Sequence, residues 1–152
     1  MLDLFEEFFK IIPAFNQAGV RYAVVGGVAM AFHVEPRFTK DIDFLVLPED
    51  LNPVDSALQS LGYFESSVPW NFKSSNMTLH RFMKTEGEDF LIVDILIGNA
   101  PEHRKIIDEA VFDETAAGTV RLAGKEHLIR LKQARNSDQD QIDIRRLQDE
   151  QN

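Results

Sequence analysis

Asp41 and Asp43 stand one residue apart in a strand-like stretch, and Asp94 interrupts the run Phe90 to Ile97, which otherwise holds only Phe, Leu, Ile and Val. Side chains two apart on a strand share a face, so the first two carboxylates lie about 7 Å apart by backbone repeat, close enough to hold one divalent cation or to bridge two. Like charges at that spacing repel unless a cation or a donor lies between them. Asp94 sits where a strand buried on both faces is expected, and an unpaired carboxylate there would cost on the order of several kcal/mol. It must meet a cation, hydrogen-bond donors or a cleft; in an ion pair, Arg81 or Lys40 is the candidate partner. If the two strands are neighbours, the three acids converge into an oxygen-only set with open positions, the kind Mg2+ accepts before completing its shell with water and phosphate oxygens.

A phosphate cradle is the natural companion of such a set. Gly26-Gly27 follows the apolar stretch Val20 to Val25 and precedes Val28-Ala29-Met30-Ala31-Phe32-His33. Strand, glycine pair and helix run together without a gap. Glycine at this junction permits positive φ and close approach of a ligand, with exposed N–H groups and the positive end of a helix dipole facing an anion. The chain has neither Gly-x-x-x-x-Gly-Lys-Ser/Thr nor Gly-x-Gly-x-x-Gly, which sets P-loop and Rossmann chemistry aside. His33, His80, His103 and His127 lack metal-ligand spacing, and no serine occupies a nucleophile elbow.

The elements that position these residues follow from periodicity. Leu2, Phe5, Phe8, Phe9 and Ile12 form a helical stripe opposite Asp3, Glu6, Glu7 and Lys10, predicting a helix over 2–18 that ends near Gly19. Strands are predicted over 20–25 and 40–47, and Pro48-Glu49-Asp50 opens a helix over 51–61. Residues 62–64 suit a short strand, and 66–76 read as a loop in which Trp70 and Phe72 are packing residues, the alternative being a stacking site. Strands over 78–83 and 89–97 form a hairpin across the glycine-bearing turn 84–88. A helix over 102–110, a strand over 119–122 and helices over 125–135 and 138–148 complete the order. No repeat, low-complexity tract or long linker divides the chain.

These elements make an α/β (α+β) fold, a mixed sheet flanked by helices with a short C-terminal helical segment. The expected organisation is one domain over 1–152, its core at 20–97 and its C-terminal helices at 124–148. At 152 residues such a chain buries roughly two thirds of its unfolded surface. No apolar stretch reaches the roughly 20 residues that span a bilayer, so no membrane partner is expected. Zero cysteines exclude disulfides and thiolate chemistry. The acidic start, Asp3, Glu6 and Glu7, is unlike a secretory signal, and a cytoplasmic location is the expectation. A net charge of −9 opposes loose nucleic-acid binding, and no DNA partner is expected. Charge is uneven, however: residues 121–146 hold seven Lys/Arg against four Asp/Glu. That segment is either a solvated helix pair or a surface facing polyphosphate or RNA.

The string Val24-Val25-Gly26-Gly27-Val28-Ala29-Met30-Ala31-Phe32-His33, followed by Pro36-Arg37-Phe38-Thr39-Lys40-Asp41-Ile42-Asp43 and then by Asp94 in an apolar strand, resembles the nucleotidyltransferase superfamily. Within it the string looks like the AbiEii-type branch of small, toxin-related proteins. That branch also shows a C-terminal Lys, a Gly-Arg pair and Asp-x-x-Asp-Ile. Lys132 and Asp140 to Ile144 match, while the arginine position falls on Ser137, with Arg135 two residues earlier.

The resemblance implies transfer of NMP from an NTP to a hydroxyl of a protein or RNA acceptor, a tRNA end included. It also implies a possible cognate toxin or antitoxin partner. Asp41, Asp43 and Asp94 would be the catalytic and metal-binding acids, with two Mg2+ ions. Gly26 and Gly27 would cradle the triphosphate, and Arg37 and Lys132 would contact phosphate. The alternative is an inert module that keeps the fold and acts through a protein partner.

Overall fold

A computed structural model describes residues 1–34 and 39–151. Helix α1 (Leu4–Gln17) starts at Asp3, whose carboxylate accepts from the Glu6 N–H at 2.8 Å, and it buries Phe8, Ile11, Ile12 and Phe15. Strand β1 (Tyr22–Val25) is buried throughout and leads directly into α2 (Gly26–His33). Then come β2 (Asp41–Val46), a 3-10 turn at Pro48–Asp50 and α3 (Leu51–Ser60). Short strands β3 (Phe64–Glu65) and β4 (Trp70–Phe72) precede the long hairpin of β5 (Met77–Glu86) and β6 (Asp89–Gly98). Helix α4 (Pro101–Asp108), the hairpin of β7 (Val111–Thr115) and β8 (Gly118–Leu122), and helices α5 (Lys125–Arg135) and α6 (Asp138–Gln151) finish the chain.

All eight strands join one mixed sheet in the order β3-β5-β6-β2-β1-β8-β7, with β4 also paired to β5. Pairs β2–β6 and β1–β8 are parallel and the others antiparallel. The two acid-bearing strands are therefore neighbours. Alternation along β2 decides what each face meets. Ile42, Phe44 and Val46 are buried, and the Phe44 ring lies 4.9 Å from Phe15, 5.6 Å from Tyr22 and 6.0 Å from Phe8, centroid to centroid. This aromatic knot seats α1 on one face and leaves Asp41, Asp43 and Leu45 on the other, where α5 lies.

Two elements differ from expectation. The segment over 66–76 contains β4, and Trp70 does not pack inward: it is 66% exposed and stacks on Phe72 at 6.2 Å. Strand β7 was not foreseen because Val111 and Phe112 are exposed on a sheet edge and give no buried alternation. What holds it is Arg121, whose guanidinium covers Phe112 at 5.1 Å and donates to the carbonyls of Tyr22 and Ile107 at 3.0 and 2.9 Å. Among the described residues, no helix is long and apolar enough to cross a membrane.

Candidate active site

The junction of β1 and α2 has no connecting loop. Val25 is extended, and Gly26 turns the chain at φ +69° straight into the helix. Among the described residues no side chain caps α2, which leaves the N–H groups of its first turn open to a ligand or water. Gly26 lines the cavity over the sheet, while Gly27 is buried behind it. A second constraint acts at Gly26 besides its backbone: a Cβ there would fall on Asp43 Oδ2 and within 3.0 Å of Asp43 Cγ. The cradle and the acids are in direct contact.

Register aligns the charged residues into a row. Val25 faces Asp43 across β1–β2, Asp43 faces Asp94 across β2–β6, and Asp94 faces Arg81 across β5–β6. Asp41 stands one pleat from Asp43 on the same face. Arg81 grips Asp94 with both arms, Nε to Oδ1 at 2.8 Å and Nη2 to Oδ2 at 3.0 Å, so the bidentate ion pair considered for Asp94 is present. Lys40 is not the partner.

Asp41 and Asp43 receive no such donor from the described residues. Burial, and then the negative charge of Asp94, push the Asp41 pKa up; burial, Asp94 and Asp41 push Asp43 up to about 7. Among the described residues no three Asp, Glu or His side chains come together as a ready-made metal cage. The pair Asp41 and Asp43 nevertheless fits a hard divalent cation: two half-buried carboxylates of raised pKa with no side-chain donor among the described residues. Asp94 fits the same ion only when Arg81 releases it.

The two cations that α5 brings to the cavity are engaged as well. Lys132 lines the cavity but is buried, its Nζ 2.9 Å from Asp143 Oδ2 and 3.8 Å from Asp140 Oδ1. Arg135, also at the cavity, is bidentate to the fully buried Asp140, which Ser137 additionally meets through its N–H and Oγ at 3.0 and 2.8 Å. Although burial alone would raise it, these donors hold the Asp140 carboxyl far below the usual range. Arg135 therefore sits beside the acids from a position two residues before the matched one, and its charge counters the upward shift of Asp43. Arg37 lies outside the described residues.

The cavity has a volume of about 460 Å³. One wall is the acid row with Gly26; next to it on the sheet are Leu45, Leu79 and Leu96, with Leu128 and Leu131 of α5 opposite. Sequence noted Arg135 only as an arginine two residues off the matched position, and it did not single out this aliphatic wall. The wall was visible in principle, since Leu45 and Leu96 follow Asp43 and Asp94 by two residues and must share their face.

No protein-family model matches the sequence, and no curated protein matches it. Solved structures do. The lincosamide antibiotic adenylyltransferase LnuA, solved with lincomycin bound, superposes with a TM-score of 0.66 at 15% identity over 94% of this chain and 95% of its own. The TM1012 protein of Thermotoga maritima, provisionally called a nucleotidyltransferase, gives 0.65 at 15% identity over 91% and 89%. ANT(2'')-Ia, in complex with adenylyl-2''-tobramycin, gives 0.57 at 16% identity over 93% and 86%. With an acid-bearing mixed sheet flanked by helices and a likeness that spans nearly its whole length, this chain has the fold of nucleotidyltransferases.

Proposed function

We propose that this chain is a magnesium-dependent nucleotidyltransferase, moving NMP from an NTP to a hydroxyl acceptor. One observation carries this reading: two carboxylates with no donor among the described residues, Asp41 and Asp43, share a face, and Asp43 stands against the glycine that opens α2. Residues 1–152 act as one unit, the sheet supplying the acids and the helices over 124–148 the cations. In the reaction the acceptor oxygen bonds to the α-phosphorus while the bond from that phosphorus to the bridging oxygen breaks. Pyrophosphate departs with the bonding electrons, and the hydroxyl proton passes to solvent.

Gly26 and Gly27 receive the triphosphate through backbone N–H groups, and Asp41 and Asp43 hold the cation side of the donor. One or two Mg2+ ions held there would neutralise charge on the attacking and leaving oxygens. Asp94 faces the acceptor once Arg81 has turned from it, and the freed guanidinium is then available to phosphate. Lys132 acts from behind, keeping Asp143 neutralised and α5 seated; Arg37, at the end of the motif, is the remaining candidate phosphate contact. Placement in the AbiEii-type branch, with a cognate toxin or antitoxin, is supported by the motif string from Val24 to Asp43.

A second reading, an inert module working through a protein partner, is favoured by one observation: Asp94 and Lys132 are both already ion-paired. Calorimetric titration of a non-hydrolysable NTP separates the two. Binding that needs Mg2+ and is lost in Asp41→Asn and Asp43→Asn is expected for the enzyme. Absence of binding in every condition would leave the module.

A further inference from the structure

The acid row has a neighbour of opposite character. One pleat along the same strands, Leu45 pairs with Leu96 and Leu96 with Leu79, so an aliphatic row runs parallel to Asp43, Asp94 and Arg81 on the same face. The glycine turn lies at the other side of the acids, because β1 is antiparallel to β2 and reaches Gly26 just beyond the Val25–Asp43 pair. Phosphate-binding and apolar surfaces are thus separated by the carboxylates themselves. Leu128 is buried on the α5 side, yet Leu79, Leu96 and Leu131 keep part of their surface open to the cavity. Half-exposed aliphatic side chains facing one another across about 460 Å³ match the lining and size of small-molecule sites, which run roughly 300–1,000 Å³.

We propose that this aliphatic chamber binds the apolar body of a small, hydroxyl-bearing acceptor and presents its hydroxyl to Asp94. The proposal rests on the nucleotidyl-transfer reading and names its acceptor. Nucleic acid fits the chamber poorly. The net charge is −9, and among the described residues the three cations that line the cavity are ion-paired internally, Arg81 to Asp94, Lys132 to Asp143 and Arg135 to Asp140. The apolar row also offers no donors or acceptors to a base edge.

The test uses the neutral fluorophore N-phenyl-1-naphthylamine, titrated into the full chain with and without Mg2+ and α,β-methylene-ATP. The expected result is one dye per chain, with affinity unchanged within twofold when the nucleotide is bound. The affinity is expected to fall tenfold or more both in Leu79→Asn, which makes the wall polar, and in Leu79→Trp, which fills the space; circular dichroism confirms that each variant is folded. Equal dye binding in folded variants, or none in wild type, would overturn the proposal. Displacement by nucleotide would assign the wall to the donor base, and displacement by tRNA would assign it to a nucleic-acid acceptor; either ends the proposal. Dye binding without any nucleotide binding would instead sink the transferase reading, and the acceptor assignment with it.

Discussion

Arg81 holds both oxygens of Asp94, while Asp43, directly beside Asp94 on the next strand, meets no side-chain donor among the described residues. Two carboxylates in one row are thus in opposite states: one neutralised by an internal cation, the other poised for an external one. The difference comes from strand order, because β5 lies next to β6 and not next to β2.

Removing that internal cation should strengthen binding of an external one. In Arg81→Gln, Mn2+ affinity read by electron paramagnetic resonance is expected to rise about tenfold, the equivalent of one charge-assisted hydrogen bond no longer competing. Unchanged or weaker binding would show that Asp94 takes no part in holding the ion.

Asp43 should be a liability to the metal-free fold. Its raised pKa means that the folded chain binds more protons than the unfolded one between the ordinary 3.8 and about 7, so its contribution becomes less favourable as pH rises through that range. Asp43→Asn is expected to raise the metal-free melting temperature by about 2–4 °C at pH 8, which corresponds to about 1 kcal/mol for a chain of this size, with the gain gone near pH 3.5. The same variant should lose all stabilisation by Mg2+ with nucleotide. Thermal melts across pH check both statements.

Lys132 should matter more to stability than to charge at the cavity. Asp143 is fully buried, with Lys132 as its cation and Gln139 donating to its other oxygen at 2.9 Å. Lys132→Met removes the buried ammonium from that carboxylate and should destabilise by about 3 kcal/mol in urea unfolding, whereas Lys132→Met with Asp143→Leu should recover much of the loss. A neutral single variant would contradict the buried pair.

Acid sensitivity should trace to Glu7. It lies on α1 and is buried against Tyr63 and against Lys84 of β5; burial favours its neutral form, but Lys84 at 2.8 Å, Tyr63 at 3.0 Å and Lys10 at 3.1 Å outweigh this and hold its pKa below the ordinary 4.5. A depressed folded pKa contributes stability above the unfolded value and loses it as pH falls through the folded one. Denaturant midpoints should therefore drop below pH 4.5 in wild type, and the drop should be shallower in Glu7→Gln, which starts from a lower plateau at pH 7.

Much of the site was legible because its geometry is local. The glycine junction, the shared face of Asp41 and Asp43, and the turn at Gly87-Glu88 all follow from period and residue type over a few positions. Adjacency of β2 and β6 was a condition and not a reading, since strand neighbours separated by a 3-10 turn, a helix and three strands leave no periodic trace. The same holds for Lys132. Its type suggested phosphate, but its partner Asp143 lies eleven residues on and meets it only because α5 and α6 fold back at Asn136, which takes φ +53°. Trp70 misled because aromatic residues are usually buried, whereas β4 is a three-residue strand whose Trp70 and Asn71 are exposed.

The contact between Gly26 and Asp43 also sets an order on how this chain could change. Position 26 is restricted twice, by a left-handed backbone and by the carboxylate occupying the space of its missing side chain. Loss of Asp43 would lift only the second restriction. Descendants that gave up the acid would then tolerate asparagine at 26, a residue comfortable in that backbone region, while those that kept it would not. A paired survey of the two positions would therefore serve as a historical record, separating lineages that still hold a cation from lineages that have abandoned it.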